Sequence, residues 1–316
     1  MQNKNKVLEI LQDSMSGKLG FENQELTGFS GRKLIGLLQG FAKNLPPEES
    51  YLEVGVFQGL TLLSVAMVIP ENRVMGIDNF KQFDKDGANQ EILLNRMTAL
   101  KIKNAVLINE DYEEALEKMN TWLEGEKIGL YFVDGPHDYR SQLMCLLMVR
   151  PWLSENAVIV IDDSNYHHVR QANQDFLMVE KEFKLIFESY TEAHPHNLAD
   201  KELQSAKDQW WNGINVIIRD RENKLSAIYP KTSNNRILFE NDHILHASKY
   251  PESLPDAASI MNVVKPLQLL RLFNRLLRLR KSLSRQPLAF HGKNSRMNTF
   301  SNGLPFEKIN PSLMES

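Results

Sequence analysis

The regular alternation of short apolar runs with helix-length segments is the feature that most constrains how this chain can fold. Five apolar runs recur, at 51–56, 72–78, 104–109, 128–134 and 157–162. Segments of roughly ten to fifteen residues with helical spacing separate them, and strands that alternate with such helices form a parallel sheet covered on both faces. Runs at 183–189 and 213–219 predict two more strands, the second of which could run antiparallel.

The pattern divides the chain into three parts. Residues 1–48 predict a helical segment, which Pro46 and Pro47 end, and residues 49–231 predict the α/β domain. Within that domain the polar stretch 192–209 is long for a connection and predicts a lid or a disordered loop. Residues 232–316 form an extension, in which 266–284 predict a basic amphipathic helix and the Asn- and Ser-rich tail after Gln286 predicts disorder.

Composition excludes several classes of protein. The formal net charge of −3 over 316 residues argues against a nucleic-acid binder, which is usually basic. No apolar run approaches the roughly 18 residues of a membrane span, and the N-terminus lacks the apolar core of a signal peptide. Cys145, the single cysteine, lies in an apolar run, so we expect a buried thiol, no disulfide and a cytoplasmic location.

The first strand ends in a turn built for a ligand. Gly55 and Gly59 permit a sharp turn ahead of a helix whose first N–H groups are free. A dinucleotide fingerprint would have glycine at the position of Glu53. A pyrophosphate would be repelled by that carboxylate, whereas an amino group or a sulfonium would be attracted. The alternative is a plain strand-to-helix turn.

The next two strands end in residues suited to an adenosine group. Asp78 follows the second strand, where an acid can accept both ribose hydroxyls. Asn79 and Phe80 come next, and the ring of Phe80 could pack on adenine. Asp111 follows the third strand, where it could accept a hydrogen bond from the adenine amine or cap the next helix, and both roles can hold together.

The fourth and fifth strands end in acids. Asp134 ends one, with His137 close behind it, and the pair Asp162-Asp163 ends the other. Ligands of parallel sheets bind at these strand ends, so the three carboxylates should lie together. Mg²⁺ or Mn²⁺ would relieve their repulsion and lower the pKa of a substrate hydroxyl, whose proton His137 could take. Each residue alone could instead be a turn, cap or loop residue.

Two further groups of residues could either line the ligand pocket or serve the fold. His167 and His168 follow the acids and could line the pocket, but a solvated pair is the more ordinary interpretation. Trp210, Trp211 and Asn212 precede the last strand and could form a wall of the substrate site or belong to the core.

These motifs carry a family resemblance. Residues 51–176 resemble the class I S-adenosylmethionine-dependent methyltransferases, and among them the small-molecule O-methyltransferases of methyltransferase family 24. The matching elements are Glu53-x-Gly55-x-x-x-Gly59-x-Thr61, Gly76-Ile77-Asp78, Asn109-Glu110-Asp111, Val133-Asp134-Gly135-Pro136-His137-Asp138-Tyr139 and Ile161-Asp162-Asp163. Phe57 departs from the pattern, since a fuller motif has a second glycine there.

The resemblance implies both a fold and a set of roles. The fold is a Rossmann-like, doubly wound, seven-stranded sheet, mostly parallel with an antiparallel last strand. S-adenosylmethionine would bind at Glu53, Gly55, Gly59, Thr61, Asp78, Asn79, Asp111 and Asp134. A divalent ion would sit on Asp134, Asp162 and Asp163, with His137 as base.

We therefore expect metal-assisted methylation of a hydroxyl on a sugar or other small molecule. One alternative keeps the cofactor without the metal, using His137 alone, or methylates nitrogen. Another is a non-catalytic module with the same fold.

The basic segment has its own alternatives. Seven basic residues and no acidic one lie between residues 265 and 285. The predicted helix could lie on an anionic membrane surface, dock on a partner or a second subunit, or pack on its own domain.

Overall fold

The fold is taken from a computed structural model that describes residues 4–18, 23, 25–81, 84, 86–191, 194, 195, 198, 200–232, 273, 274, 276, 277 and 304–315. Its strands are β1 Glu49–Val54, β2 Val74–Ile77, β3 Ala105–Ile108, β4 Lys127–Val133, β5 Leu153–Ile161, β6 Phe183–Ser189, β7 Ile214–Arg219 and β8 Lys308–Ile309. Its helices are α1 Lys4–Met15, α2 Arg32–Ala42, α3 Leu60–Ala66, α4 Asn89–Ala99, α5 Tyr112–Glu117, α6 Asn120–Leu123, α7 Tyr139–Val149, α8 His167–Val179, α9 Asp200–Asp208 and α10 Pro311–Met314.

One sheet joins all of these strands, in the order β3-β2-β1-β4-β5-β7-β6-β8. Neighbours from β3 to β5 run parallel, and β7 runs antiparallel to both β5 and β6. The expected Rossmann-like sheet with a reversed strand is therefore confirmed. The strand count is corrected from seven to eight, because β8 pairs with the outer edge of β6.

Helices cover both faces of the sheet, which is why its central strands are apolar throughout. Every residue of β4 from Ile128 to Val133 is buried. One core cluster packs α1, α2 and α3 on the sheet, through residues such as Leu11, Leu37 and Leu62. The other packs α5, α7 and α8 on the opposite face and buries Cys145, as expected of a structural thiol.

Two expectations about irregular segments were wrong in part. The polar stretch 192–209 is not a loop throughout, because α9 occupies Asp200–Asp208. The tail after Gln286 is not disordered throughout, because residues 304–315 form β8 and α10. Asn310 is buried in this segment and donates from Nδ2 to the carbonyls of Leu185 and Ser226, each at 2.9 Å. A carbonyl of β6 and a carbonyl in the loop after β7 thereby gain hydrogen-bond donors, which the composition of the tail does not reveal.

The predicted basic helix 266–284 lies outside the described residues, apart from four. Phe273, Asn274, Leu276 and Leu277 are helical and exposed. None of the helices within the described ranges is long and apolar enough to span a membrane. The division into 1–48, 49–231 and 232–316 stays a prediction.

Candidate active site at the strand ends

A cavity of about 280 Å³ opens at the carboxyl ends of β1, β2, β4 and β5. Parallel strands present their last residues there, so residues distant in the sequence meet. Six of the residues predicted to bind the cofactor line this cavity: Gly55, Thr61, Asp78, Asn79, Asp111 and Asp134. Glu53 and Gly59 are not among the residues that line it.

The side chain of Asp78 stabilises the turn after β1 through hydrogen bonds to its backbone. Its Oδ2 accepts hydrogen bonds from the backbone N–H groups of Val56 at 2.9 Å and Phe57 at 2.8 Å, and its Oδ1 accepts from Phe80 N–H at 2.7 Å. A carboxylate has about four acceptor positions, so about one remains for a ribose hydroxyl. Gly55 is required here, because its φ is +91° and a Cβ would overlap the Asp134 carbonyl.

Glu53 lies beneath the cavity rather than in its wall. The side chain is 0% exposed. One carboxyl oxygen accepts from the Tyr51 hydroxyl at 2.6 Å and the other from the Thr61 hydroxyl at 2.6 Å. Burial raises the pKa of Glu53 to about 8, against the opposing effect of these two hydroxyls. Gly59 also serves the fold, since its φ of +82° begins α3. Direct cofactor contact at Glu53 and Gly59 stays a prediction.

Asp111 combines the two roles that the sequence left open. It caps α5, accepting from Glu113 N–H at 3.0 Å, and it also lines the cavity. Asn79 approaches it, with Nδ2 3.4 Å from Asp111 Oδ2. Each oxygen of Asp111 therefore has a partner within the chain, Oδ1 in the N–H of Glu113 and Oδ2 in the side chain of Asn79.

The structure brings Asp134, His137 and Asp163 together at the ends of β4 and β5. One donor atom from each lies within 4.8 Å of the others, a spacing that can hold a metal ion. Asp162 is not in this group, although it lines the cavity. Its Oδ1 accepts from the N–H of Asp163 at 2.8 Å, and its role as a metal ligand stays a prediction.

Charge is poorly compensated in this corner of the cavity. Burial raises the pKa of Asp134 well above its usual range, and the charges of Asp162 and Asp163 raise it further. Burial and the charge of Asp163 likewise raise the pKa of Asp162. Burial also acts on Asp163, but His137, His194 and a hydrogen bond from Asn212 outweigh it and hold its pKa below the usual value. His137 Nε2 lies 2.5 Å from Asp163 Oδ2.

Asp163 is positioned by the turn ahead of β7. Its own φ is +53°, a left-handed conformation that aspartate adopts more readily than most residues other than glycine. Asn212 donates from Nδ2 to Asp163 Oδ1. The next two backbone N–H groups, of Ser164 and Asn165, donate to the carbonyls of Gly213 and Asn212, each at 3.0 Å.

Aromatic rings that sequence reasoning missed complete the site. His137 stacks on Tyr166, with ring centroids 5.3 Å apart, and Tyr166 lies 6.0 Å from the ring of His194. The sequence marked His194 only as part of a polar stretch, and nothing marked Tyr166. His167 and His168 begin α8 and do not line the cavity, and both are half-buried rather than the solvated pair that was expected.

A second set of rings closes the other side. Phe29 packs on Phe57 at 5.1 Å and on Trp211 at 6.2 Å between ring centroids, and all three line the cavity. Trp210 instead belongs to the core and donates from Nε1 to Glu307 at 2.8 Å. No local pattern could have identified Phe29, because only the fold brings it from the N-terminal segment to the strand ends.

Comparison with known proteins points to one enzyme class. Residues 52–164 match methyltransferase family 24, a family described as a methyltransferase domain. No curated protein matches the sequence.

Two solved structures are similar at low identity. An O-methyltransferase, TomG from Streptomyces achromogenes, is 13% identical, over 67% of this chain and 90% of that one, with a TM-score of 0.46. An O-methyltransferase from Bacillus cereus is 11% identical, over 70% of this chain and 93% of that one, with the same TM-score of 0.46.

The family match runs from within β1 to the Asp162-Asp163 turn and includes most of the residues that line the cavity. The resemblance read from the motifs is confirmed, because residues 52–164 match the model of methyltransferase family 24.

Proposed function

We propose that this protein transfers the methyl group of S-adenosylmethionine to a hydroxyl of a sugar or other small molecule, with help from Mg²⁺ or Mn²⁺. The observation that carries the proposal is the approach of Asp134, His137 and Asp163 within 4.8 Å in the wall of the methyltransferase cavity. A scaffold without catalytic function has no need of such a cluster beside its cofactor.

The donor set fits a hard divalent ion. Carboxylate oxygens, which Asp134 and Asp163 both offer here, suit Mg²⁺ and Mn²⁺. Burial raises the pKa of Asp134 and of Asp162, and the charges of neighbouring carboxylates raise both further, so a cation at this place would stabilise their charged forms. Asp134 and Asp163 are the residues that would hold the ion. When bound, the ion would supply positive charge that makes a nearby hydroxyl more acidic.

The side chains themselves account for the proton. His137 Nε2 faces Asp163, so the hydroxyl proton would arrive at Nδ1, with the ring held by the carboxylate and by stacking on Tyr166. As the oxygen–carbon bond forms, the sulfur–carbon bond of S-adenosylmethionine would break and S-adenosylhomocysteine would leave, while loss of the proton to His137 leaves a neutral methyl ether. The cavity contributes the alignment of the hydroxyl with the methyl group.

Binding measurements test the two parts of the proposal separately. S-adenosylmethionine titrated calorimetrically into the full chain should bind, and Mn²⁺ followed by electron paramagnetic resonance should bind as well. Asp163→Asn should weaken Mn²⁺ binding by about 10- to 100-fold and leave cofactor affinity nearly unchanged. Asp13→Asn is the matched control, because Asp13 lies on α1, forms an exposed ion pair with Lys18 and does not line the cavity.

Two results would contradict the proposal. Failure of S-adenosylmethionine to bind at millimolar concentration would exclude methyl transfer from it. Full activity after removal of metal with EDTA would exclude the metal.

The second result would favour a metal-free enzyme in which Asp163 orients His137 as the base. The 2.5 Å contact between the side chains of His137 and Asp163 is the observation that supports this metal-free alternative.

A further inference from the structure

The turn at residues 210–213, ahead of β7, connects the cavity to the rest of the fold. Trp211 lines the cavity, and Asn212 donates from Nδ2 to Asp163. The carbonyls of Asn212 and Gly213 accept hydrogen bonds, each at 3.0 Å, from the backbone N–H groups that directly follow Asp163. A shift of this turn would therefore move Asp163 with it.

The backbone of the 210–213 turn is strained. Trp211 has a φ of +57° and Gly213 a φ of +82°, so two of its four residues are left-handed. Glycine adopts this conformation freely, but a residue as bulky as tryptophan keeps it only when the surrounding structure enforces it. Contacts from outside the turn must therefore hold it in place.

The carboxylate of Glu307 supplies one such contact. Its Oε1 accepts from Trp210 Nε1 at 2.8 Å and from Lys33 Nζ at 2.6 Å. The side chains of Lys33 and Glu307 are only 11% and 19% exposed, so water competes weakly for these bonds. One oxygen of the C-terminal segment thus joins the turn to α2.

The start of α2 also touches this part of the chain directly. Lys33 N–H donates to the carbonyl of Gln209 at 3.2 Å, one residue before the turn. Gly31 approaches so closely that a Cβ there would lie 2.1 Å from the same carbonyl oxygen. The ion pair with Glu307 therefore holds Lys33 where its backbone supports the turn.

Glu307 is itself held by the edge of the sheet. Its N–H donates to Ser189 Oγ at 3.3 Å, and the carbonyl of Pro305 accepts from Tyr190 N–H at 3.2 Å. The next residue, Lys308, begins β8, which pairs with β6. The carboxylate is therefore fixed by backbone contacts on both sides.

We propose that Glu307 is a positioning residue of the active site: its carboxylate fixes the 210–213 turn and, through Asn212, the orientation of Asp163 toward the divalent ion. Glu307 is not among the residues that line the cavity, so its effect passes through the turn. This inference rests on the proposed function, which makes Asp163 a ligand of the ion.

Mn²⁺ binding to the full chain, followed by electron paramagnetic resonance, measures the effect. Glu307→Ala should weaken Mn²⁺ binding by about 10-fold, and calorimetry should show nearly unchanged affinity for S-adenosylhomocysteine. Glu307→Gln keeps an oxygen that can accept from Trp210 and Lys33, so it should recover most of the loss. Glu315→Ala is the matched control, because Glu315 is an exposed carboxylate in the same segment.

A double variant tests whether the effect passes through Asn212. If it does, Asn212→Ala combined with Glu307→Ala should bind Mn²⁺ no more weakly than Asn212→Ala alone, because the connection to Asp163 is already broken. A general loss of structure at Glu307 would instead multiply the two losses.

Fluorine NMR reports the turn without any metal. The full chain is labelled with 5-fluorotryptophan, and each signal is assigned by a Trp→Phe variant. In Glu307→Ala the signals of Trp210 and Trp211 should move, whereas those of Trp122 and Trp152, which pack in the core cluster on the other face of the sheet, should stay. Should Glu307→Ala not fold, Trp210→Phe removes the same hydrogen bond, and both its Mn²⁺ affinity and its Trp211 signal should change in the same direction.

Unchanged Mn²⁺ affinity in Glu307→Ala, or losses that multiply in the double variant, would overturn the inference. If the wild-type protein did not bind Mn²⁺ at all, the metal part of the proposed function would fail. The fluorine signal of Trp211 would then still decide whether Glu307 positions the turn: a shifted signal supports it, and a signal at the wild-type place overturns it.

Discussion

The carboxyl group of Glu53 makes the stability of this domain depend on pH in a way that one substitution can isolate. Glu53 is fully buried, and its two oxygens are occupied by the hydroxyls of Tyr51 and Thr61. Replacing it with glutamine keeps the size and the hydrogen-bonding capacity of the side chain but removes its titration. Any pH-dependent difference between the two proteins then reports the ionisation of Glu53.

The magnitude follows from the shift in pKa. Burial raises the pKa of Glu53 from 4.5 to about 8 in the folded protein. Between these values the folded state binds more protons than the unfolded state, so wild-type stability falls as the pH rises through this window and levels off above about pH 8. At roughly 1.4 kcal/mol per pH unit, the loss is on the order of 4 kcal/mol. Glu53→Gln should escape that loss.

Urea unfolding at about pH 5, 7 and 9 measures the effect. The unfolding free energy of Glu53→Gln minus that of wild type should rise across the series by on the order of 4 kcal/mol. A less favourable hydrogen bond from the amide would shift all three differences equally. Glu155→Gln, at a surface position that is 76% exposed, should show no such trend. A difference that stays constant from pH 5 to pH 9 would refute the reasoning, since Glu53 would then titrate alike in both states.

Three further outcomes follow from contacts around the cavity. Asn212→Ala removes the donor to Asp163 and should weaken Mn²⁺ binding by about 10- to 100-fold, with cofactor affinity kept; unchanged Mn²⁺ binding would mean that Asn212 does not position the ligand. Gly55→Ala should lower the unfolding free energy by at least about 2 kcal/mol in a thermal or urea melt, because its φ is +91° and the new Cβ would overlap a carbonyl. Arg96→Gln removes the hydrogen bonds from Arg96 to Thr27 and should speed amide hydrogen exchange in residues 25–31 while exchange in β4 stays slow. Equal protection of residues 25–31 in both proteins would show that Arg96 does not hold this segment in place.

Sequence periodicity predicted the sheet well because its central strands are buried on both faces. The run at 128–134 corresponds to β4 at Lys127–Val133, and the run at 157–162 to the end of β5 at Leu153–Ile161. Acids directly after such runs must lie at one edge of a parallel sheet, so the approach of Asp134 to Asp163 could be predicted without coordinates.

Residues that depend on long-range packing could not be predicted in this way. Asn212 lies 49 residues from Asp163 and meets it only because β7 inserts beside β5. Phe29 has no periodic neighbour that marks a cavity wall. Glu53 was expected at the ligand, but strand geometry places its side chain on the same face as that of Tyr51, below the cavity floor. Strand β8 has two residues, too few for any alternation to show.

The return of the chain at residues 304–315 has a consequence for how the domain is held together. These residues pair with β6, and Lys33 on α2 contacts Glu307 at 2.6 Å, so the segment also touches the N-terminal helices. The described chain up to Thr232 and the residues from Leu304 onward both belong to this fold. A protease cut between those points would yield two fragments that remain associated through β8 and the buried Asn310. Nicked protein should migrate as two bands in denaturing gels and as one species in native size exclusion.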